Sequence, residues 1–228
     1  MTHKERIDSV LKGLEARLRE PKPGLAAQLM LAPDPRPGQK TYQEVQDTCR
    51  PAAVLILLYP RGRALHLVLT RRTSEVDYHR DQVSLPGGEK DPDETIVEAA
   101  LREATEEIGV RPEEARVLGD LTPLYIPASN YCMYPIVAAA AKRPTFRRAP
   151  AEVAEMIELP LRELLDPATV RREVWTLHGR ETVIPFFFYR GHKIWGATAM
   201  VLAEFAAVIG RPPESPRTIR AGRKEKRP

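Results

Sequence analysis

The segment Gly88–Val110 reads GEKDPDETIVEAALREATEEIGV, and the assignment of the fold depends on it. If each residue turns a helix by about 100°, its apolar side chains share one arc. Those side chains are Val97, Ala100, Leu101, Ala104 and Ile108. Gly109 follows at the position that a helix C-cap glycine occupies. The pattern predicts an amphipathic helix from about Thr95 to Ile108 with its apolar face against a core.

Three carboxylates, those of Glu103, Glu106 and Glu107, lie on an adjacent arc of this predicted helix. At spacings i, i+3 and i+4 they repel one another and weaken the helix unless a cation joins them. Mg²⁺ or Mn²⁺ is the natural partner, because hard cations prefer several oxygen ligands. Arg102, beside the acidic arc, can hydrogen-bond a carboxylate and fix its rotamer. A solvated acidic face remains the alternative explanation for the glutamates taken alone.

A divalent metal on such a helix suits phosphoryl chemistry. It neutralises charge on a diphosphate, orients the attacking water and lowers the pKa of that water. The glycines that precede the helix, Gly87 and Gly88, allow the backbone to approach the metal and the phosphates closely. The pattern therefore favours metal-dependent hydrolysis of a phosphoanhydride.

The rest of the chain divides into three parts. Residues 1–44 hold a short amphipathic helix at Ile7–Leu18 and two proline-rich breaks, which indicates an N-terminal extension. Residues 45–212 alternate short strand-like runs with two substantial helices, which predicts an α/β (α+β) domain with a sheet between helices. Residues 213–228 form a basic tail, interpreted as frayed or, less favourably, as a nucleic-acid patch.

Composition limits the classes of function and partner. The chain has 228 residues, of which 43% are hydrophobic and 29% charged, as in an ordinary globular protein. Its net charge of +4 is concentrated in the tail, so we expect no nucleic acid as the main partner. The charged N-terminus lacks a signal-peptide core, and the longest apolar runs are too short to cross a bilayer. We therefore expect a cytoplasmic protein without a membrane partner.

The two cysteines, Cys49 and Cys132, are far apart in the sequence. Without a CxxC pair or companion histidines, they indicate neither a zinc site nor a disulfide framework. A reducing compartment agrees with this composition.

The helix segment resembles the Nudix box, GX5EX7REUXEEXGU, where U is aliphatic. Its specified residues are in register at Gly88, Glu94, Arg102, Glu103, Glu106, Glu107 and Gly109. The U positions hold Ala104, Ile108 and Val110, and Ala104 is smaller than the usual residue. The resemblance implies a Nudix α/β/α sandwich with a mixed sheet, and hydrolysis of a nucleoside diphosphate linked to another moiety.

Roles for individual residues follow from the same resemblance. It implies that Glu103, Glu107 and Glu106 hold Mg²⁺ or Mn²⁺, and that Arg102 orients a carboxylate. Glu106 and Arg102 thus belong to the catalytic group, together with Glu152 as a late acidic residue. Glu152 is either a base or extra metal ligand, or simply a solvated strand edge.

The stretch Leu69–Gly88, LTRRTSEVDYHRDQVSLPGG, resembles the motif of coenzyme A pyrophosphatases, LLTXR(S/A)X3RX3GX3FPGG. Residues 82–84 and the late segment Pro185–Leu202 also look like that subfamily, so the resemblance covers about 50 to 210. The positions that match the motif are Leu69, Thr70, Arg72, Pro86, Gly87 and Gly88. It implies hydrolysis of coenzyme A or acyl-CoA to 3′,5′-ADP and (acyl-)4′-phosphopantetheine.

Five residues of this stretch are candidates for binding the substrate and its phosphates. They are Arg71, Arg72, Gln82, Gly87 and Gly88. An arginine fork matches the geometry of a phosphate group. Surface solubility is the alternative role for the two arginines.

Four positions depart from the coenzyme A motif. Thr73 and Leu85 are mild replacements, whereas Asp77 and Asp81 place negative charge where a polyanionic substrate would lie. These acidic residues favour the alternative of another nucleoside diphosphate derivative, such as ADP-ribose, NADH or a dinucleoside polyphosphate. A non-catalytic nucleotide- or RNA-binding Nudix module is the third hypothesis. The family resemblance and the late apolar residues also lead us to expect a possible homodimer.

Overall fold

The computed structural model describes residues 2–36, 40–73, 82–177 and 179–210. Its helices are α1 (His3–Leu18), α2 (Gly24–Leu29), α3 (Tyr42–Val45), α4 (Ile96–Ile108), α5 (Leu161–Leu164) and α6 (Gly196–Ile209). Its strands are β1 (Arg50–Arg61), β2 (Ala64–Arg72), β3 (Val83–Ser84), β4 (Gly87–Glu89), β5 (Arg116–Asp120), β6 (Leu124–Ile126), β7 (Tyr131–Ala139), β8 (Val153–Pro160), β9 (Val170–Leu177), β10 (Arg180–Tyr189) and β11 (His192–Trp195).

The main sheet has eight strands and a mixed topology. Its central path runs β3-β2-β1-β7-β5, while β4 pairs with β1, β6 with β7 and β8 with β2. The pairing of β1 with β7 is parallel, and the other pairs are antiparallel. Strand β1 is buried from Ala52 to Tyr59 because it is central and covered on both faces.

Each face of the sheet packs against a separate apolar cluster. On one face, odd-numbered residues of β1, such as Leu55 and Leu57, meet Ala100 and Ala104 of α4. On the other face, even-numbered residues such as Ile56 join α6 and the N-terminal helices in a larger cluster. The alternation follows from the period of two in a strand. The predicted α/β/α sandwich with a mixed sheet is therefore confirmed.

A smaller antiparallel sheet, in the order β11-β10-β9, covers part of the second face. Phe187 and Ile194 from this sheet enter the same cluster as α6. Strand β11 was not predicted, because the sequence Arg190-Gly191 between β10 and β11 is a very short connection. Both of these residues have positive φ, which forms the tight turn of a hairpin.

The N-terminal helices pack on α6, and a buried carboxylate joins the two regions. Glu204 of α6 is fully buried. It accepts hydrogen bonds from the amide of Gly24, the side chain of Gln28, and both the amide and the hydroxyl of Thr122. These donors satisfy a charge that would otherwise be costly to bury.

The boundary of the extension at residue 44 stays a prediction, and the tail at 213–228 lies outside the described residues.

The prediction for the cysteines was wrong, since Cys49 and Cys132 form a disulfide. Parallel pairing places Pro51 of β1 opposite Cys132 of β7, which brings the preceding Cys49 within reach. Their Cα atoms are 5.6 Å apart despite a sequence separation of 83 residues. The pairing depends on the topology of the sheet, which the spacing of two cysteines does not reveal.

Across the described part of the chain, no helix has both the length and the apolar character that a membrane span requires.

Replacing Glu204 with Ala should lower the free energy of unfolding by about 3 kcal/mol or more, because four buried or partly buried donors lose their acceptor. Urea denaturation followed by circular dichroism measures this change. Glu181→Ala is the matched control, since Glu181 is exposed, and it should change stability by less than about 0.5 kcal/mol. A loss below about 1 kcal/mol for Glu204→Ala would contradict the assigned role.

Candidate active site

The helix that carries the acidic residues begins and ends where the sequence predicts. The Thr95 side chain accepts a hydrogen bond from the amide of Glu98, and the Glu98 carboxylate accepts one from the amide of Thr95. This capping box satisfies free amides at the helix start. Gly109 ends the helix in the left-handed conformation at φ 71°. These caps fix the register in which the glutamates are presented.

The glycine loop runs directly beneath this helix along β4. A Cβ on Gly87 would lie 2.2 Å from the backbone oxygen of Ala53. A Cβ on Gly88 would lie 2.5 Å from the carboxylate atoms of Glu103. Both positions therefore require glycine for close approach, and Gly88 leaves the space that the Glu103 carboxylate fills.

Arg102 connects the loop to the acidic face of the helix. Its guanidinium donates hydrogen bonds to Glu94 at 2.8 and 3.1 Å, to Glu103 at 2.7 Å and to Glu106 at 3.2 Å. It also donates to the backbone oxygen of Glu89 at 2.9 Å. Arg102 lowers the pKa of Glu94 to about 2 by charge-assisted hydrogen bonding. This geometry supports the carboxylate-orienting role of Arg102 and explains how Glu94 braces the loop.

The three glutamates have different environments. The Glu107 side chain is 3% exposed, that of Glu103 is 14% exposed, and that of Glu106 is 57% exposed. Burial is the main cause that raises the pKa of Glu107, to about 8, and burial also raises the pKa of Glu103. Glu103 and Glu107 are thus the two buried carboxylates whose pKa values stay raised although Arg102 contacts the first and Arg72 lies near the second.

Glu152 and Arg72 complete the charged environment of these carboxylates. The charge of Glu152 raises the pKa of both Glu103 and Glu107, so it acts on the same site. The Arg72 guanidinium lies 3.9 Å from Glu107 and opposes that effect. The Arg72 Nε is buried, and in the described residues it has no hydrogen-bond partner. Arg72 thus has donor capacity left for an anion.

The donor set fits a hard divalent cation. One buried oxygen of Glu107 has no hydrogen-bond partner among the described residues. Glu103 lies beside it, and a cation between the two would relieve their repulsion. However, no three acidic, histidine or cysteine side chains are already gathered as a metal cluster within the ranges that the structure describes. Glu106 lies at the exposed edge, paired with Arg102, and its role as a third ligand stays a prediction.

The proposed substrate residues have different partners. Arg71 pairs with Glu155 at 3.1 Å, whereas Arg72 faces Glu107. Successive residues of a strand point to opposite faces, so the two arginines of β2 meet different partners. Gln82 contributes its backbone oxygen, which accepts a hydrogen bond from the amide of Arg72 at 3.0 Å. The motif departures Asp77 and Asp81 lie outside the described residues.

The sequence did not identify Glu89 as part of this region. Its carboxylate accepts hydrogen bonds from Arg50 and from the Tyr131 hydroxyl, and its backbone oxygen binds Arg102. The position of Glu89 directly after the two glycines could have indicated that it belongs to this region. Its partners were not visible, because they come from two strands that are paired only in the fold.

The Nudix domain family matches residues 49–178, more than half of the chain. This chain belongs to the Nudix family. An uncharacterized Nudix hydrolase, NudL, of Photorhabdus laumondii is 35% identical over 183 residues, which cover 80% of this chain and 93% of that one. A protein of the same name from Pectobacterium atrosepticum is 36% identical, with 82% and 92% covered. A solved Nudix hydrolase from Nitrosomonas europaea has a TM-score of 0.48 at 15% identity, with 76% and 80% covered.

The family membership establishes the class of reaction. This Nudix chain is a pyrophosphohydrolase that acts on a nucleoside diphosphate derivative. Nudix enzymes generally use divalent metal ions such as Mg²⁺ or Mn²⁺. The burial of the Glu103 and Glu107 carboxylates, which raises both pKa values, agrees with that requirement.

Replacing Gly88 with Ala should reduce kcat by about a hundredfold, because the new Cβ displaces the Glu103 carboxylate. The fold should persist, since the colliding atoms are the movable end of a side chain. Steady-state kinetics and a thermal melt measure the two effects. Gly13→Ala is the control, because nothing lies within 4 Å of its added Cβ. An unchanged kcat for Gly88→Ala would refute the role given to this contact.

Proposed function

We propose that this Nudix enzyme hydrolyses the diphosphate bond of coenzyme A and acyl-CoA. The products are 3′,5′-ADP and 4′-phosphopantetheine or its acyl derivative. The main support is that the motif from Leu69 to Gly88 adjoins the acidic helix at both ends. Arg72 lies near Glu107, and Gly88 lies beneath Glu103.

Each residue of the site has a part in this proposal. Glu103 and Glu107 hold Mg²⁺ or Mn²⁺, with Glu106 as the third candidate ligand. When bound, the metal neutralises charge on the diphosphate and lowers the pKa of the attacking water. Arg102 keeps the Glu103 carboxylate in place through the 2.7 Å hydrogen bond. Arg72 uses its remaining donors to bind a phosphate oxygen.

Proton transfer requires a carboxylate that faces both the site and solvent. Glu152 is exposed, yet its charge reaches both Glu103 and Glu107. We propose that Glu152 accepts the proton of the attacking water, with Glu106 as the alternative base. Because Glu106 is held by Arg102, its carboxylate is less free to accept a proton.

The acidic residues Asp77 and Asp81 favour a second candidate within the same class of reaction. They place negative charge where the coenzyme A motif has arginine and glycine, so the 3′-phosphate of coenzyme A would be disfavoured there. The second candidate substrates are ADP-ribose, NADH and dinucleoside polyphosphates. The homodimer stays a proposal, supported by the family resemblance and the late apolar residues. The cytoplasmic location also stays a proposal, but the Cys49–Cys132 disulfide, a bond that is rare in reducing compartments, counts against it.

Incubation with Mg²⁺ or Mn²⁺ and separate substrates, followed by liquid chromatography, tests the proposal. We expect coenzyme A to give 3′,5′-ADP at a higher kcat/KM than ADP-ribose, NADH or diadenosine polyphosphates give their products. AMP from those substrates with coenzyme A untouched would establish the second candidate instead. Nucleotide binding without any product would indicate a non-catalytic module.

The variant Glu107→Gln should retain the fold and lose at least about a hundredfold in kcat on whichever substrate is cleaved. Glu98→Gln is a matched control on the same helix, because Glu98 is exposed and only caps the helix start. Equal rates for Glu107→Gln and the wild type would contradict the assignment of Glu107 as a metal ligand.

A further inference from the structure

Two adjoining clefts lie beside Pro160, where β8 ends and α5 begins. One has a volume of about 400 Å³ and lies between α5 and the end of β10. The other has a volume of about 240 Å³ and lies beneath the turn between β1 and β2. Pro160 and Arg162 line both clefts, so the two clefts adjoin, and together they are called the depression.

The lining of this depression is strongly basic. It contains five arginines and a single acidic residue, Glu163. The arginines are Arg61, Arg63, Arg162, Arg171 and Arg190. Like charges gathered around one depression repel one another unless anions lie between them.

Most of these cations lack a carboxylate partner. Arg61 pairs with Glu158, and Arg162 pairs with its neighbour Glu163. Within the described ranges, Arg63, Arg171 and Arg190 form no ion pair. Their guanidinium groups thus have donors left for an external anion.

Aromatic rings position two of the free guanidinium groups. The Arg171 guanidinium lies 3.9 Å from the centre of the Phe188 ring, and that of Arg190 lies 5.3 Å from the centre of the Tyr189 ring. Stacking limits the motion of an arginine while leaving its N–H edge open. Glu173 acts on Arg171 from beyond ion-pair distance and is itself paired with Lys193. Two guanidinium edges are therefore held at the larger cleft, whose one acidic lining residue, Glu163, is already paired with Arg162.

The depression is separate from the catalytic carboxylates. Pro160 pairs with His66 of β2, whereas Arg72, which faces Glu107, is six residues further along that strand. Six residues of extended strand span about 20 Å. An anion held at Pro160 and Arg162 would therefore not contact Glu103 or Glu107.

We propose that this depression is a second binding site, specific for the phosphate chain of an oligophosphate or nucleoside triphosphate. Planar guanidinium groups match phosphate oxygens in pairs. Because arginines line both adjoining clefts, a chain of phosphates has more partners here than a single phosphate ion has. The catalytic residues of the Nudix helix do not line this site. The proposal therefore does not depend on which substrate the enzyme hydrolyses.

Isothermal titration calorimetry of the full chain tests the proposal, with inorganic triphosphate and ATP as separate ligands. EDTA is present so that metal-dependent turnover and metal–phosphate binding are excluded. We expect both ligands to bind the wild type, and Arg162→Ala/Arg171→Ala/Arg190→Ala to weaken the Kd at least about tenfold. Tighter binding of ATP than of triphosphate would show that the nucleoside also contributes.

Two controls distinguish this site from general charge and from the catalytic centre. Arg6→Ala/Lys142→Ala/Arg180→Ala removes the same charge from exposed positions elsewhere, and should change the Kd by less than about twofold. Arg72→Ala should also leave the Kd unchanged, because Arg72 belongs to the catalytic site. Circular dichroism verifies that each variant is folded.

Three results would overturn the proposal. One is the absence of measurable binding of either ligand to the wild type. Another is an equal loss of affinity in the cleft variant and its charge-matched control. The third is binding of single-stranded RNA without binding of triphosphate or ATP, which would indicate a different class of ligand.

Discussion

The guanidinium of Arg102 is the interaction on which the rest of the site depends. It joins the backbone of the glycine loop at Glu89 to carboxylates of the loop and of α4, those of Glu94, Glu103 and Glu106. A single planar cation therefore sets the distance between loop and helix. Gly88 makes that distance possible, because any larger residue would occupy the space of the Glu103 carboxylate. The separation of loop and helix follows from charge-assisted hydrogen bonds and the absence of one side chain.

The same arrangement leaves negative charge on buried carboxylates that the neighbouring arginines neutralise only in part. Glu107 is buried, its pKa is raised, and Arg72 at 3.9 Å gives only partial compensation. Keeping such a group in the folded state is costly unless a cation binds. In the proposed mechanism this unfavourable burial has a function, because a divalent metal bound beside the glycine loop would neutralise the carboxylates of Glu103 and Glu107. In contrast, Glu204 is buried at the N-terminal helices with all its charge compensated by hydrogen-bond donors, and it stabilises the fold.

Local patterns in the sequence predicted the catalytic helix well. The capping residue Thr95, the apolar arc and Gly109 determine α4 through contacts within a few residues, and its predicted bounds were confirmed. Features that depend on distant pairing could not be predicted. The parallel pairing of β1 with β7 brings together Cys49 and Cys132, and also Arg50 and Tyr131 around Glu89. Arg71 and Arg72 point to opposite faces of β2, but their partners, Glu155 and Glu107, come from β8 and α4, which meet β2 only in the fold.

The central claim is that Glu103 and Glu107 of α4 bind the metal beside the glycine loop. Crystals of the full chain grown with Mn²⁺ and measured near the manganese absorption edge test it most directly, because the anomalous signal locates the ion. The account predicts a peak within about 2.5 Å of carboxylate oxygens of both Glu103 and Glu107. A peak bound by other residues, with neither of these two carboxylates in contact, would contradict it.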